Sequence, residues 1–183
     1  MLILIVGPSG AGKDTLLNGA RDALADDLRF RFVRRVITRP GDMGQEDHES
    51  ASEQAFELRK QAGDFALTWR AHGLHYGIPA DISMDLARGR VVIVNVSRAV
   101  VAEAAARFPV SVIEISAPAD VLALRLAARG REDAVDVARR LARSIELRLP
   151  VDRQMVVNDG TVEAGVRELL GAITRASGDA LQS

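Results

Sequence analysis

The chain contains no cysteine, which excludes disulfide staples, thiolate nucleophiles and cysteine-ligated zinc. Lysine is almost as scarce: of 24 basic residues only Lys13 and Lys60 are lysines, so 22 are arginines. A single arginine therefore carries little information here, whereas the position of a lysine does. Excess charge of either sign is missing too. The formal net charge is −1, which gives no general electrostatic attraction to nucleic acid or membrane. Long apolar runs are absent: none approaches the roughly 20 residues of a spanning helix. The apolar start stops at Gly7 and lacks the basic flank of a secretory signal. With 183 residues, 48% of them hydrophobic, the chain can bury one core and fits one domain. The expectation is a soluble, cytoplasmic, single-domain protein whose oligomeric state is left open.

One of the two lysines stands in GPSGAGKDT, residues 7–15. G-x-x-x-x-G-K is the pattern of a phosphate-binding loop, whose glycines let backbone N–H groups turn inward around phosphate oxygens at the positive end of a helix. At this chain's glycine and lysine frequencies, a chance match has a probability on the order of one in a hundred. The alternative is a glycine-rich turn that binds nothing. On the phosphate reading, Gly7, Pro8, Ser9, Gly10, Ala11, Gly12, Lys13, Asp14 and Thr15 hold a nucleoside triphosphate, and Lys13 reaches its β- and γ-phosphates.

One letter departs from the pattern. The position after the lysine ordinarily carries a hydroxyl that helps hold Mg²⁺, and here it is Asp14. Many such enzymes also hold the metal through an acid at a neighbouring strand end, yet the strand-like RVVIVNV ends on neutral Asn95. The carboxylate has changed places. Either Asp14 holds Mg²⁺, directly or through water, or it only favours the N-terminus of its helix.

The remaining order alternates strand and helix patterns. LILIV (Leu2–Val6) is an unbroken apolar run, as in a strand buried on both faces. A helix is expected over about 14–25, a second strand over 30–37 (FRFVRRVI), and further strands over 90–96 and 111–116. An alanine-rich helix stops near Phe108 and Pro109, another spans 120–129 behind Pro118, and residues 154–160 supply a last strand and turn before a closing helix to about Ala176. This alternation predicts an α/β, doubly wound parallel sheet opened by the P-loop, with ligands at the carboxyl ends of its strands. Two segments interrupt the core of 1–37 and 90–176. Residues 38–89 hold polar turns, a short helix with a capping-box start at Ser50, and the aromatic-containing patch FALTWRAHGLHYGIP. Residues 129–144 are dense in arginine. They are expected to be a substrate-binding insertion and a lid.

The second segment and its approach carry Arg125, Arg129, Arg131, Arg139, Arg140 and Arg143. On helices, residues four apart share a face, as Arg139 and Arg143 would. Phosphoryl transfer needs cations around the moving group, and an arginine lid supplies them while excluding water. Lys13, Arg129, Arg140 and Arg143 are therefore the candidate catalytic cations. The alternative is a solvated helix face paired with Glu132, Asp133, Asp136 and Glu146.

Together GPSGAGK, TRPG (38–41), HGLHYGIP (72–79), RLAARG (125–130), RRLARS (139–144) and VVND (156–159) resemble the guanylate kinase family of nucleoside monophosphate kinases over almost the whole chain. The pieces GKD, VITRP, EDHESAS, FALTWRAHGLHYGIP, VNVSR and RGRE are more similar to the ribose 1,5-bisphosphate phosphokinases of phosphonate catabolism. That resemblance implies ATP with Mg²⁺ as donor, a phosphorylated ribose as acceptor and phosphoribosyl pyrophosphate as product. It also implies that Arg39 and Tyr76 hold an acceptor phosphate.

Where guanylate kinases carry a second phosphate-binding arginine, the short TRPGDM keeps only Arg39. Their guanine-reading glutamate in FLEW is Thr68 in ALTW here, and their DxDxQG is VNVSR, with Asn95, Ser97 and Arg98. A purine edge needs a firmly placed acceptor, and discrimination is lost without it. A base-free substrate with two phosphates fits these changes, with Arg98 as the cation for the second phosphate. His48, His72 and His75, with Glu46 and Asp47, are candidates for the ribose hydroxyls, or are ordinary loop residues. His72 and His75 make a poor metal pair because no third ligand is evident. Trp69 is read as core. The rival activities are a guanylate or other nucleoside monophosphate kinase and a non-catalytic guanylate-kinase-like module that recognises phosphopeptides. Intact Gly7, Gly12 and Lys13 speak against the module.

Overall fold

The structure is a computed structural model that describes residues 1–39, 47–128 and 153–181. The arginine-dense segment, with Arg129, Arg140 and Arg143, lies outside the described residues, as does Glu46.

Five strands form a wholly parallel sheet in the order β2 (Phe30–Phe32), β7 (Val91–Asn95), β1 (Leu2–Val6), β8 (Val110–Ser116), β9 (Arg153–Val157). Helices α1 (Lys13–Ala23), α4 (Val101–Arg107), α5 (Ala119–Ala128) and α6 (Val162–Leu181) provide the crossovers and cover. All five residues of central β1 are fully buried, which is why it reads as an unbroken apolar run and not as an alternation. Strand periodicity still sorts them. Ile3 and Ile5 pack with Leu16, Leu17 and Ala20 of α1 and Leu169 and Ile173 of α6. Leu2, Leu4 and Val6 pack with Val101 and Ala104 of α4 and with Leu67 and Ile78. Each fully buried Leu or Ile contributes about 1.5–3 kcal/mol, so the sheet is held from both faces.

A second, four-stranded sheet has the order β4 (Glu49–Ser50), β3 (Val36–Ile37), β6 (Leu74–Pro79), β5 (Phe65–Ala71). It is followed by α3 (Ile82–Ala87), and α2 (Glu53–Gln61) lies between β4 and β5. FALTWRAHGLHYGIP is thus a β-hairpin. His72 and Gly73 form its two-residue turn with φ of 52° and 75°, the left-handed pair whose twist matches the flanking strands.

Two local expectations change. FRFVRRVI is not one strand: Phe30–Phe32 pairs with β7 in the parallel sheet, whereas Val36 and Ile37 pair with Gly77 and Tyr76 in the other. The alternation runs through the break because both halves bury apolar residues, so periodicity could not reveal the change of partner. The α2 cap is Ser52, whose Oγ accepts from Ala55 N at 3.1 Å. Ser50 is committed to β4, where Glu49 N and Ala51 N donate to Arg35 O and Ile37 O.

Candidate active site

Because the core strands are parallel, the ends of β1, β7, β8 and β9 all reach one edge of the sheet. Gly7, Gly10 and Gly12 have φ of 149°, 84° and 84°, outside the range comfortable for other residues. Space forbids a side chain as well: a Cβ on Gly7 would lie 2.0 Å from Ile115 O, and one on Gly12 would lie 2.4 Å from Asn158 Nδ2. Lys13 Nζ donates to Gly7 O and Pro8 O at 2.8 and 2.9 Å, holding its cation over the loop. Asn158, buried just beyond β9, donates from Nδ2 to Ala11 O at 2.8 Å. Arg125 in turn donates to Asn158 O at 3.1 Å. The back of the loop is therefore braced by the VVND segment.

Asp14 lies in the first turn of α1 and its Oδ1 accepts from Asn95 Nδ2 at 3.0 Å. Asn95 is buried, and its Oδ1 has no hydrogen-bond partner. The carboxylate after the lysine and the neutral strand end after β7 are thus in contact.

One cavity of about 260 Å³ joins this loop to the second sheet. Its floor is Gly7, Ser9, Gly10, Gly12, Lys13, Asp14 and Thr15; its far wall is Arg35, Arg39, Trp69, Ala71, His72 and Tyr76, and Asn95, Val96 and Ser97 close one side. Trp69 and Tyr76 are directly opposite in the hairpin register, so they share a face and stack, with ring centroids 5.2 Å apart and planes 7° from parallel. The Arg35 guanidinium lies over both rings, 5.2 Å from Tyr76 and 6.0 Å from Trp69. Among the described residues, Asp14 is the one acid in the lining.

Arg39, Tyr76 and His72 are thereby brought to the loop. Three other candidates lie elsewhere. Arg98, in a short 3-10 turn after β7, ion-pairs with Glu114, whose other oxygen pairs with Arg153 at 2.6 Å. Glu114 is buried, and taking one cation from a buried carboxylate is costly. His48 is also buried, with Nε2 3.4 Å from both Arg39 O and Ser50 Oγ, beneath the chain that carries Arg39. His75 leans towards Phe56, with ring centroids 5.5 Å apart. Trp69, read as core, packs against the core and also lines the cavity. Arg35 was missed altogether. Its only signal is the adjacent pair Arg34-Arg35, which is weak in a chain so rich in arginine.

A phosphate loop after the first strand of a parallel sheet, facing a small mixed sheet across one cavity, defines a P-loop kinase of guanylate-kinase-like fold. The guanylate kinase from Anaplasma phagocytophilum matches with a TM-score of 0.70, covering 96% of this chain and 85% of that one, at 15% identity. A gluconokinase from Sinorhizobium meliloti matches at a TM-score of 0.53, 99% and 96% coverage and 19% identity. No family model matches the chain. Its sequence is 51% identical over 175 residues to a protein of Acidiphilium cryptum named ribose 1,5-bisphosphate phosphokinase PhnN, covering 95% of this chain and 92% of that protein. A protein of the same name from Rhizobium etli is 43% identical over 175 residues, covering 94% and 89%. The chain also matches 28% of the length of a bifunctional ribose 1,5-bisphosphokinase-thymidine phosphorylase from Cupriavidus necator, at 48% identity over 92% of this chain. The chain belongs to the ribose 1,5-bisphosphate phosphokinase family.

Proposed function

We propose that the protein transfers the γ-phosphoryl group of ATP to the 1-phosphate of ribose 1,5-bisphosphate, giving 5-phosphoribosyl 1-diphosphate and ADP. The observation that carries this reading is the cavity lined by the phosphate loop on one side and by Arg39 and Tyr76 on the other. The bond from the γ-phosphorus to its bridging oxygen breaks, ADP leaves with the electron pair, and an acceptor phosphate oxygen forms the new bond. That oxygen is already anionic, so no general base is required. Catalysis then rests on positioning and charge.

In this reading the residue 7–15 loop cradles the donor phosphates through its backbone N–H groups, and Lys13 moves from the loop carbonyls onto them. Arg39 and the Tyr76 hydroxyl hold an acceptor phosphate, and His72, at the rim, meets a ribose hydroxyl. Arg129, Arg140 and Arg143 are proposed to neutralise the transferring group. A nucleobase has little to bind here. Among the described residues no carboxylate but Asp14 faces the cavity, and Asp14 is tied to Asn95.

The residues present fit a magnesium ion. Asp14 supplies a carboxylate, and the buried Asn95 Oδ1 adds an oxygen without a hydrogen-bond partner at the same corner; oxygen donors are what this hard cation takes. When bound there, Mg²⁺ neutralises phosphate charge. No helix among the described residues is long and apolar enough to cross a membrane, and a balanced charge with a small-molecule substrate suits cytoplasmic ATP.

The test is ³¹P NMR of the products from ATP and Mg²⁺ with ribose 1,5-bisphosphate, beside the same assay with GMP. A new diphosphate signal with the sugar alone is expected. A signal with GMP at comparable rate would replace this reading with a nucleotide kinase.

A further inference from the structure

Two phosphates on one small sugar call for two cationic clamps. The sequence offered Arg39 and Arg98, and only Arg39 reaches the cavity. Arg98 turns to Glu114, which is buried and shared with Arg153. Arg35, four residues before Arg39, lines the same wall of the cavity.

Its setting is built. The chain crosses from the parallel sheet to the second sheet at residues 33–35, anchored by Val33 N donating to Ile93 O at 3.0 Å and by Glu49 N donating to Arg35 O at 2.9 Å. The guanidinium then lies over the stacked Trp69 and Tyr76 rings. A cation over aromatic faces is attracted by their quadrupoles, and one already held in place has fewer orientations to lose on meeting a phosphate, which is the advantage of preorganisation. Arg35 also borders a smaller recess lined by Asp14, Asn18, Arg21, Asp47 and Asn95.

We propose that Arg35 is the second phosphate-binding cation of the acceptor site, working with Arg39 to make the site select a sugar carrying two phosphates. This rests on the ribose 1,5-bisphosphate reading above. It assigns Tyr76 and Trp69 a positioning role towards Arg35, and gives Arg98 a structural one with Glu114.

The experiment is calorimetric binding of ribose 1,5-bisphosphate, ribose 5-phosphate and ribose 1-phosphate to the wild type, Arg35→Met, Arg35→Lys and Arg98→Met. Each variant is checked by its melting temperature and by binding of ADP. Arg35→Met should weaken the bisphosphate by on the order of ten- to a hundredfold, the worth of a charge-assisted hydrogen bond. It should weaken one of the two monophosphates much less, because that ligand lacks the phosphate Arg35 holds. ADP affinity should stay, and Arg35→Lys should recover part of the loss. In turnover, KM for the sugar should rise while KM for ATP does not. If the wild type binds and turns over the bisphosphate and Arg35→Met does so equally well, or the loss falls on Arg98→Met instead, the assignment is overturned while the substrate reading stands. A folded, ADP-binding wild type that takes no sugar bisphosphate would overturn both.

Discussion

Asn95 Nδ2 donates to Asp14 Oδ1 at 3.0 Å, joining the end of β7 to the first turn of α1 across 81 residues of sequence. A phosphate loop ordinarily has a hydroxyl where Asp14 stands and often an acid where Asn95 stands. Here the carboxylate is on the helix and an amide ends the strand, so the site keeps one carboxylate at the same corner. A carboxylate beside a triphosphate is repulsive unless a cation lies between them.

Asp14→Asn is therefore expected to raise the Mg²⁺ concentration for half-maximal turnover by about tenfold or more. Binding should separate the effect of charge from that of fold. Calorimetry should find MgADP bound more weakly and metal-free ADP bound more tightly, since the repulsion is gone. An unchanged Mg²⁺ dependence would leave Asp14 as an N-terminal helix residue only.

Lys13→Met should leave the fold intact, because the lysine is a half-buried side chain that donates to the loop's own carbonyls, Gly7 O and Pro8 O, and is not part of the apolar core. It should lower kcat by about 10²–10³, the cost of deleting one well-placed donor to developing charge. Melting temperature and steady-state kinetics check it together. A loss of turnover explained by unfolding would contradict this.

Asn158→Ala removes the side chain that satisfies Ala11 O. That buried carbonyl would lose its partner, at a cost of about 1–3 kcal/mol in urea unfolding. The loop it braces should also bind ADP more weakly, although Asn158 itself is not among the cavity's lining residues. Full stability with full affinity would show that the brace is dispensable.

Asp85 makes the fold sensitive to acid. It is buried in α3 and joins Arg31 of β2 and Arg90, the latter at 2.8 Å. Burial pushes its carboxyl up, but hydrogen bonds from Arg31 and Arg90 outweigh burial and hold it below the ordinary value. The unfolded chain then binds the proton first, so this contribution is complete above about pH 5 and is lost as pH falls through about 4 towards the folded-state value. Asp85→Asn should lower stability at pH 7 by about 1–3 kcal/mol and flatten its decline in acid. Urea titrations at several pH values measure both. An unchanged acid slope would assign the loss to other carboxylates.

Much of the molecule was legible because its signals are local. The loop is nine consecutive residues whose glycines, lysine and following helix define each other, and the buried strands advertise themselves by unbroken apolar runs. The hairpin was harder. FALTWRAHGLHYGIP hides its hairpin because the turn is His72-Gly73 and not the Asn-Gly or Asp-Gly pair that usually signals one. FRFVRRVI misled for a different reason: a period of two looks the same whether a strand keeps its partner or leaves one sheet for another.

Local sequence suffices for the class of fold, the phosphate loop and the departure at Asp14, since backbone conformation and strand burial follow from neighbouring residues. Which of the described arginines line the cavity depends on packing between distant parts of the chain. Among 22 arginines, Arg98 is captured by Glu114 and Arg35 is held by the Trp69 and Tyr76 rings. Those partners are distant in sequence. A guanidinium goes where a buried carboxylate or an aromatic face can compensate its desolvation, and only the packed chain brings those groups within reach.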